Sequence, residues 1–355
     1  MSYRNILSVV VFLLSGMESA RAEFIPGHIF VSDFANKHCS GPFEIEPGDR
    51  IWEIDPATGE VSLFVELRDE WCGGIEALIF TPDGTKLRAA QRLRNRILEF
   101  DSEANPTILY DGSDGIAIPI GGNAMAYDKE GNFFVSGFDR IVRFPAGSDI
   151  SEIYADRVTD PLIATGAGAI AVDASGDVYI GRDTLGSGRI VRFQGPHNGS
   201  LFETFPQGVV VRSLISDSCG HLFAALDPFS TTDPRQLLRY IAGDSNSEEL
   251  LAEFLSVLVF AALDPSESVV YAIEYGGRVY QVSIDDGVVT PIIVGINGGR
   301  GLVEGIGIAV VPVPDPPYGF TPCPPSIPTM NAWGMAILAI VLLIGGKLRG
   351  RCVRD

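Results

Sequence analysis

Three oxygen-bearing side chains, Glu76, Asn123 and Glu304, stand where short apolar strands begin, Glu76 and Asn123 each eight residues ahead of a turn glycine, Gly84 and Gly131. If such strand starts converge on an axis, two carboxylates and an amide carbonyl form a donor set suited to a hard divalent cation, Ca²⁺ being the candidate. The same position holds Gly168 and Arg212 in further copies. Arg212 would oppose a cation, so the alternative stays open that these residues line a wet channel and bond to water. Other chemistry is thin. His28, His38, His197 and His221 are scattered, without zinc-site spacing. There is no GxSxG nucleophile elbow. Gly166–Ala171 has dinucleotide-loop spacing but falls on a strand with no helix after it.

The elements that must position these residues recur. In Gly121–Gly147 a short strand leads to a polar turn ending in Gly131, a second strand follows, and Asp139-Arg140-Ile141 opens a third. The turn returns as Pro82-Asp83-Gly84, Ala174-Ser175-Gly176, Ser218-Cys219-Gly220 and, degenerately, Asp264–Glu267. The opener returns as Asp49-Arg50-Ile51, Asn95-Arg96-Ile97, Gly188-Arg189-Ile190, Gln236-Leu237-Leu238 and Gly277-Arg278-Val279. Two markers in phase, about 40 to 49 residues apart with roughly four strands per copy, predict an all-β, six-bladed propeller. The first copy, from Ile29 to Leu67, has only three strands, and Glu304–Val313 reads as a lone first strand. The C-terminal strand is therefore expected to complete the N-terminal blade and close the ring over residues 23–313. The other blades are expected at Gly74–Asp111, Gly121–Ala155, Gly168–Pro206, Val209–Phe254 and Leu258–Val294. Ser247–Leu258 reads either as a short helix or as an outer strand with its loop.

The pattern resembles the NHL-repeat and related six-bladed propellers, through GAIAVDASGDVYIG at 168–181 and GRIVRF at 188–193. Glu304-Gly305 is also similar to the first-blade Glu-Gly of gluconolactonase-like propellers. That resemblance implies a divalent ion held by Glu304, Glu76 and Asn123, although no Asp occupies an equivalent strand start in the fourth or fifth blade. The scaffold hosts enzymes and plain interaction modules alike.

The formal charge is −19, and removing residues 1–22 (net +1) and 327–355 (net +3) leaves about −23. Such a surface repels phosphate backbones, so nucleic acid is not an expected partner.

Residues 1–22 read as an export signal, with Arg4, the apolar run Ile6–Leu14 and a small-residue cleavage pattern at Ala20 and Ala22. A Pro-rich linker at 314–326 leads to 327–355, where an apolar run (Ala332–Gly346) precedes Lys347, Arg349, Arg351 and Arg354. That order fits a C-terminal transmembrane helix with its basic tail inside. Ile327-Pro328-Thr329-Met330 with Trp333-Gly334 resembles the IPTL-type sorting signals, relatives of the PEP-type signals, with Met330 where Leu is usual. The resemblance implies an exosortase-like membrane protease as partner in a Gram-negative bacterium. It also implies periplasmic, outer-surface or extracellular delivery after processing, and anchoring by the helix before it. Cys39 and Cys72 lie in loops expected on one face, a plausible disulfide once exported, and Cys219 and Cys323 form a second candidate pair on the other. The leading functional expectation is a non-enzymatic binding module of the cell envelope. Its rival is a divalent-metal-dependent lactonase or lyase-like enzyme at the channel.

Overall fold

In the computed structural model the described residues are 23–33, 49–68, 71, 73–113, 124–137, 139–148, 150–163, 167–182, 187–228, 230, 233–274, 276–293 and 307–313. The chain divides into two compact units, Met1–Pro316, which carries all of these, and Pro317–Asp355, which lies outside them. The export signal with Ala20 and Ala22, the linker 314–326 and the sorting segment 327–355 with Ile327, Pro328, Thr329, Met330, Trp333 and Gly334 all lie outside the described residues. So do Asn123, Glu304, Cys39, Cys72 and Cys323. Among the described residues no helix is long and apolar enough to cross a membrane.

Six four-stranded antiparallel sheets make the six blades. Their innermost strands, from blade one to blade six, are Ile308–Val310, Ile75–Phe80, Met125–Tyr127, Ala167–Val172, Val209–Ser216 and Leu258–Leu263. The second strands are Ile29–Asp33, Leu87–Gln91, Phe133–Ser136, Val178–Arg182, Leu222–Pro228 and Val269–Glu274. The third are Asp49–Ile54, Arg96–Phe100, Arg140–Phe144, Ser187–Phe193, Arg235–Tyr240 and Arg278–Ser283. The outermost are Val61–Leu67, Pro106–Tyr110, Glu152–Asp156, Gly199–Gln207, Glu248–Phe254 and Val289–Ile293. The expected closure is present. Ile29, Phe30 and Val31 pair with Val310, Ala309 and Ile308, and Ser32 extends the seam by receiving Gly307 N on its Oγ at 2.7 Å.

Alternation along each strand sends apolar side chains to both faces of every blade, as a sheet buried on both sides requires. The result is six separate apolar cores, one at each junction between neighbouring blades. Turns between first and second strands share one face, here the lower. Links from one blade to the next run over the opposite, upper face. The lower turns are stapled by aspartates: Asp128, Asp173, Asp217 and Asp264 each accept backbone N–H groups of their own turn. Cys219, in the blade-five turn, is disulfide-bonded, with its partner outside the described residues.

Candidate binding face at the central channel

The position singled out by the repeat has a structural identity. In blades two, four, five and six the innermost strand carries a bulge against the second strand, and the extra residues are Glu76, Gly168, Arg212 and Val259. A bulge leaves one residue out of the ladder and re-aims its side chain. It is therefore the device that presents these positions on the upper face of the ring.

The local partners were not foreseen. Glu76 accepts from Arg92 Nη1 at 2.8 Å, and its side chain is only 13% exposed. Arg92 comes from the short 3-10 turn Arg92–Arg94 between the second and third strands of the same blade. In blade five Arg212 donates through Nε (3.2 Å) and Nη2 (3.0 Å) to one oxygen of Asp227. Arg235 Nε donates to the other oxygen at 3.2 Å. Asp227 is 3% exposed, so a buried carboxylate is bracketed by two guanidinium groups, the arrangement that burying such a charge demands. Val259 brings no donor atom to blade six.

Next to this ring, buried polar residues tie blade to blade. Asp49 is fully buried, and its Oδ2 accepts Gly73 N and Gly74 N, both at 2.7 Å, which fixes the link entering blade two. Ser32 donates to Ile75 O at 3.3 Å, and Ser213 accepts Ala261 N at 3.2 Å, each across a junction. Beside Asp49, burial pushes the Asp33 carboxyl up to about 6 against the pull of Arg50.

Of the three candidate cation ligands, the structure thus places Glu76 on the channel face, in an ion pair; Asn123 and Glu304 lie outside the described residues. No group of three or more His, Cys, Asp or Glu side chains among the described residues is arranged to hold a metal ion. Sequence reasoning missed Arg92, Asp227 and Val259. The Arg235–Asp227 pairing joins the two ends of the connection between the second and third strands of blade five.

No family model matches the sequence, and no curated protein matches it. Among solved structures, a chain from a nidogen/laminin complex is similar with a TM-score of 0.60 and 14% identity, covering 81% of this chain and 100% of that one. The calcium-binding protein regucalcin from Agrobacterium tumefaciens strain C58 is similar at a TM-score of 0.45 and 14% identity, over 68% of this chain and 75% of that one. An oligogalacturonate lyase in complex with manganese reaches 0.42 at 11% identity, over 61% of this chain and 64% of that one. The first of these likenesses agrees with the six-bladed propeller fold that the sheet topology shows. They do not choose between a binding protein and an enzyme.

Proposed function

We propose that this chain is an exported, non-enzymatic binding module of the bacterial cell envelope or surface, processed at its C-terminal sorting signal. The observation that carries the reading is the charge arrangement at the channel. Glu76 is neutralised by Arg92, and Arg212 stands on the same ring with its guanidinium held by Asp227. A fixed cation there repels a divalent ion, while bulge-presented polar groups suit a partner held by hydrogen bonds. The partners in this reading are an exosortase-like protease, the membrane through the C-terminal helix before processing, and an envelope or extracellular ligand.

The rival is a lactonase or lyase-like enzyme in which Glu304, Glu76 and Asn123 hold Ca²⁺. It requires Glu76 to exchange Arg92 for the ion. Thermal melts of the mature protein and of Glu304→Ala, in Ca²⁺ and in chelator, separate the two. The binding-module reading expects no Ca²⁺-dependent shift in either protein. A ligand at 100 times its Kd adds about 2.7 kcal/mol, a rise of a few degrees. Such a rise in the wild type, lost in Glu304→Ala, would overturn the proposal in favour of the metal site.

A further inference from the structure

The repeat is broken at one buried position. On each second strand, the residue after the first core position faces the next blade. By register these are Phe30, Arg88, Phe134, Tyr179, Phe223 and Tyr271, paired with Glu53, Glu99, Arg143, Arg192, Arg239 and Gln281. The five aromatic residues are all at most 7% exposed, and each belongs to the core at the junction with the following blade. Blade two alone carries an arginine. At the lower mouth of the junction between blades two and three, beside the packed rings of Tyr127, Phe133 and Phe144, lies a cleft of about 430 Å³. It opens on the lower face and is lined by Asp83, Arg88, Tyr127, Phe133, Phe144 and Pro145, among others. That is within the range of roughly 300–1,000 Å³ usual for small-molecule sites.

The groups around this cavity are poised rather than idle. The Arg88 guanidinium lies over Phe133, 4.7 Å from the ring centroid, and near Tyr127 at 5.5 Å. Its Nε donates to Glu99 at 3.1 Å, and its two terminal nitrogens have no hydrogen-bond partner among the described residues. The Tyr127 hydroxyl is buried without a partner, a costly condition unless a ligand or water completes it. Asp83 is the opposing charge at the rim, with Oδ1 occupied by Thr81 and Thr85.

We propose that this junction is a binding site for a small ligand that combines a carboxylate with an aromatic ring. The carboxylate takes the planar fork of Arg88, which matches two carboxylate oxygens. Tyr127 donates alongside it. The ring packs beside Phe133, Phe144 and Pro145 in the cleft. Asp83 keeps inorganic anions and simple acids from binding on charge alone, so recognition needs the ring as well as the carboxylate. The cavity is on the face opposite the bulge ring, and the proposal stands whichever reading of the channel is correct.

The test uses benzoate, acetate and benzyl alcohol as probes against the mature protein, with ligand-observed NMR. Benzoate should bind, with acetate and benzyl alcohol at least tenfold weaker. Arg88→Phe, which restores the ring found in the sister blades, should abolish benzoate binding while melting no lower than wild type. Tyr127→Phe should weaken it several-fold. Failure of benzoate to bind the wild type at millimolar concentration, equal binding of benzyl alcohol, or undiminished binding to a folded Arg88→Phe protein would each overturn the assignment.

Discussion

Asp33 sits at the end of the strand that receives the closing strand, half-buried, opposite Arg50 and near Asp49. Desolvation dominates and holds its carboxyl at about 6, above the ordinary aspartate range, so the folded chain binds this proton more tightly than the unfolded chain does. Its stabilising contribution is therefore complete below the unfolded value and is lost as pH rises through about 6. Asp33→Asn should raise the melting temperature at pH 7.5 and change it little at pH 4. The gain at the higher pH is about 1–2 kcal/mol after discounting for partial solvent contact. A uniform effect at both pH values would show that packing, not charge, governs the site. At this scale the sequence was only half legible. Position within the repeat pointed to Glu76, but its neutralising arginine lies sixteen residues away on another loop, which no spacing rule connects. Arg88 was hidden for a different reason: in Leu87-Arg88-Ala89 it mimics the polar half of an ordinary alternating strand, whereas both faces of that strand are covered.

The strands themselves were legible because each blade repeats the same punctuation. Glycines at the turns adopt the left-handed backbone at Gly84, Gly131, Gly176 and Gly220, and the degenerate fifth turn places Glu267 there instead, at φ 53°. Glu267 compensates through its carboxylate, which accepts Ser218 N at 2.8 Å and Ser218 Oγ at 2.5 Å across the junction of blades five and six. The ambiguous stretch after Ser247 resolves as the outer strand Glu248–Phe254, since its neighbours in the sheet supply the hydrogen bonds that a helix would have to make internally. The closing element is the most exacting. A Cβ on Gly307 would lie 2.6 Å from Leu78 N and 2.7 Å from the Ala77 carbonyl carbon, both backbone atoms unable to give way cheaply. Gly307→Ala should therefore lower stability by roughly 2–4 kcal/mol, read as a drop in the urea midpoint, with new protease cuts in the first blade. An unchanged midpoint would mean that the seam tolerates displacement.

For the whole molecule, six in-phase copies and an incomplete first blade were enough to predict ring closure, because leaving a buried sheet edge open is unfavourable. The six cores are independent of one another in composition, which is why one can border a cleft without loosening the rest. Cys219 is disulfide-bonded, with its partner outside the described residues. Alkylation of the unreduced mature protein should leave Cys219 unmodified, and peptide mapping should join Cys39 to Cys72. Reduction should lower the melting temperature, and labelling of Cys219 before reduction would contradict the structure. The seam between Ile29–Val31 and Ile308–Val310 has one more effect, on the order of events in a cell. The strand that completes blade one is among the last parts of the propeller to be made, so the ring cannot close until synthesis has passed Val310. Until then blade one stands one strand short, and the long loop to be closed makes its final pairing intrinsically slow. Assembly is thereby timed to the completion of Ile308–Val310, and any chain cut before Ile308 leaves Ile29–Val31 without its inner partner.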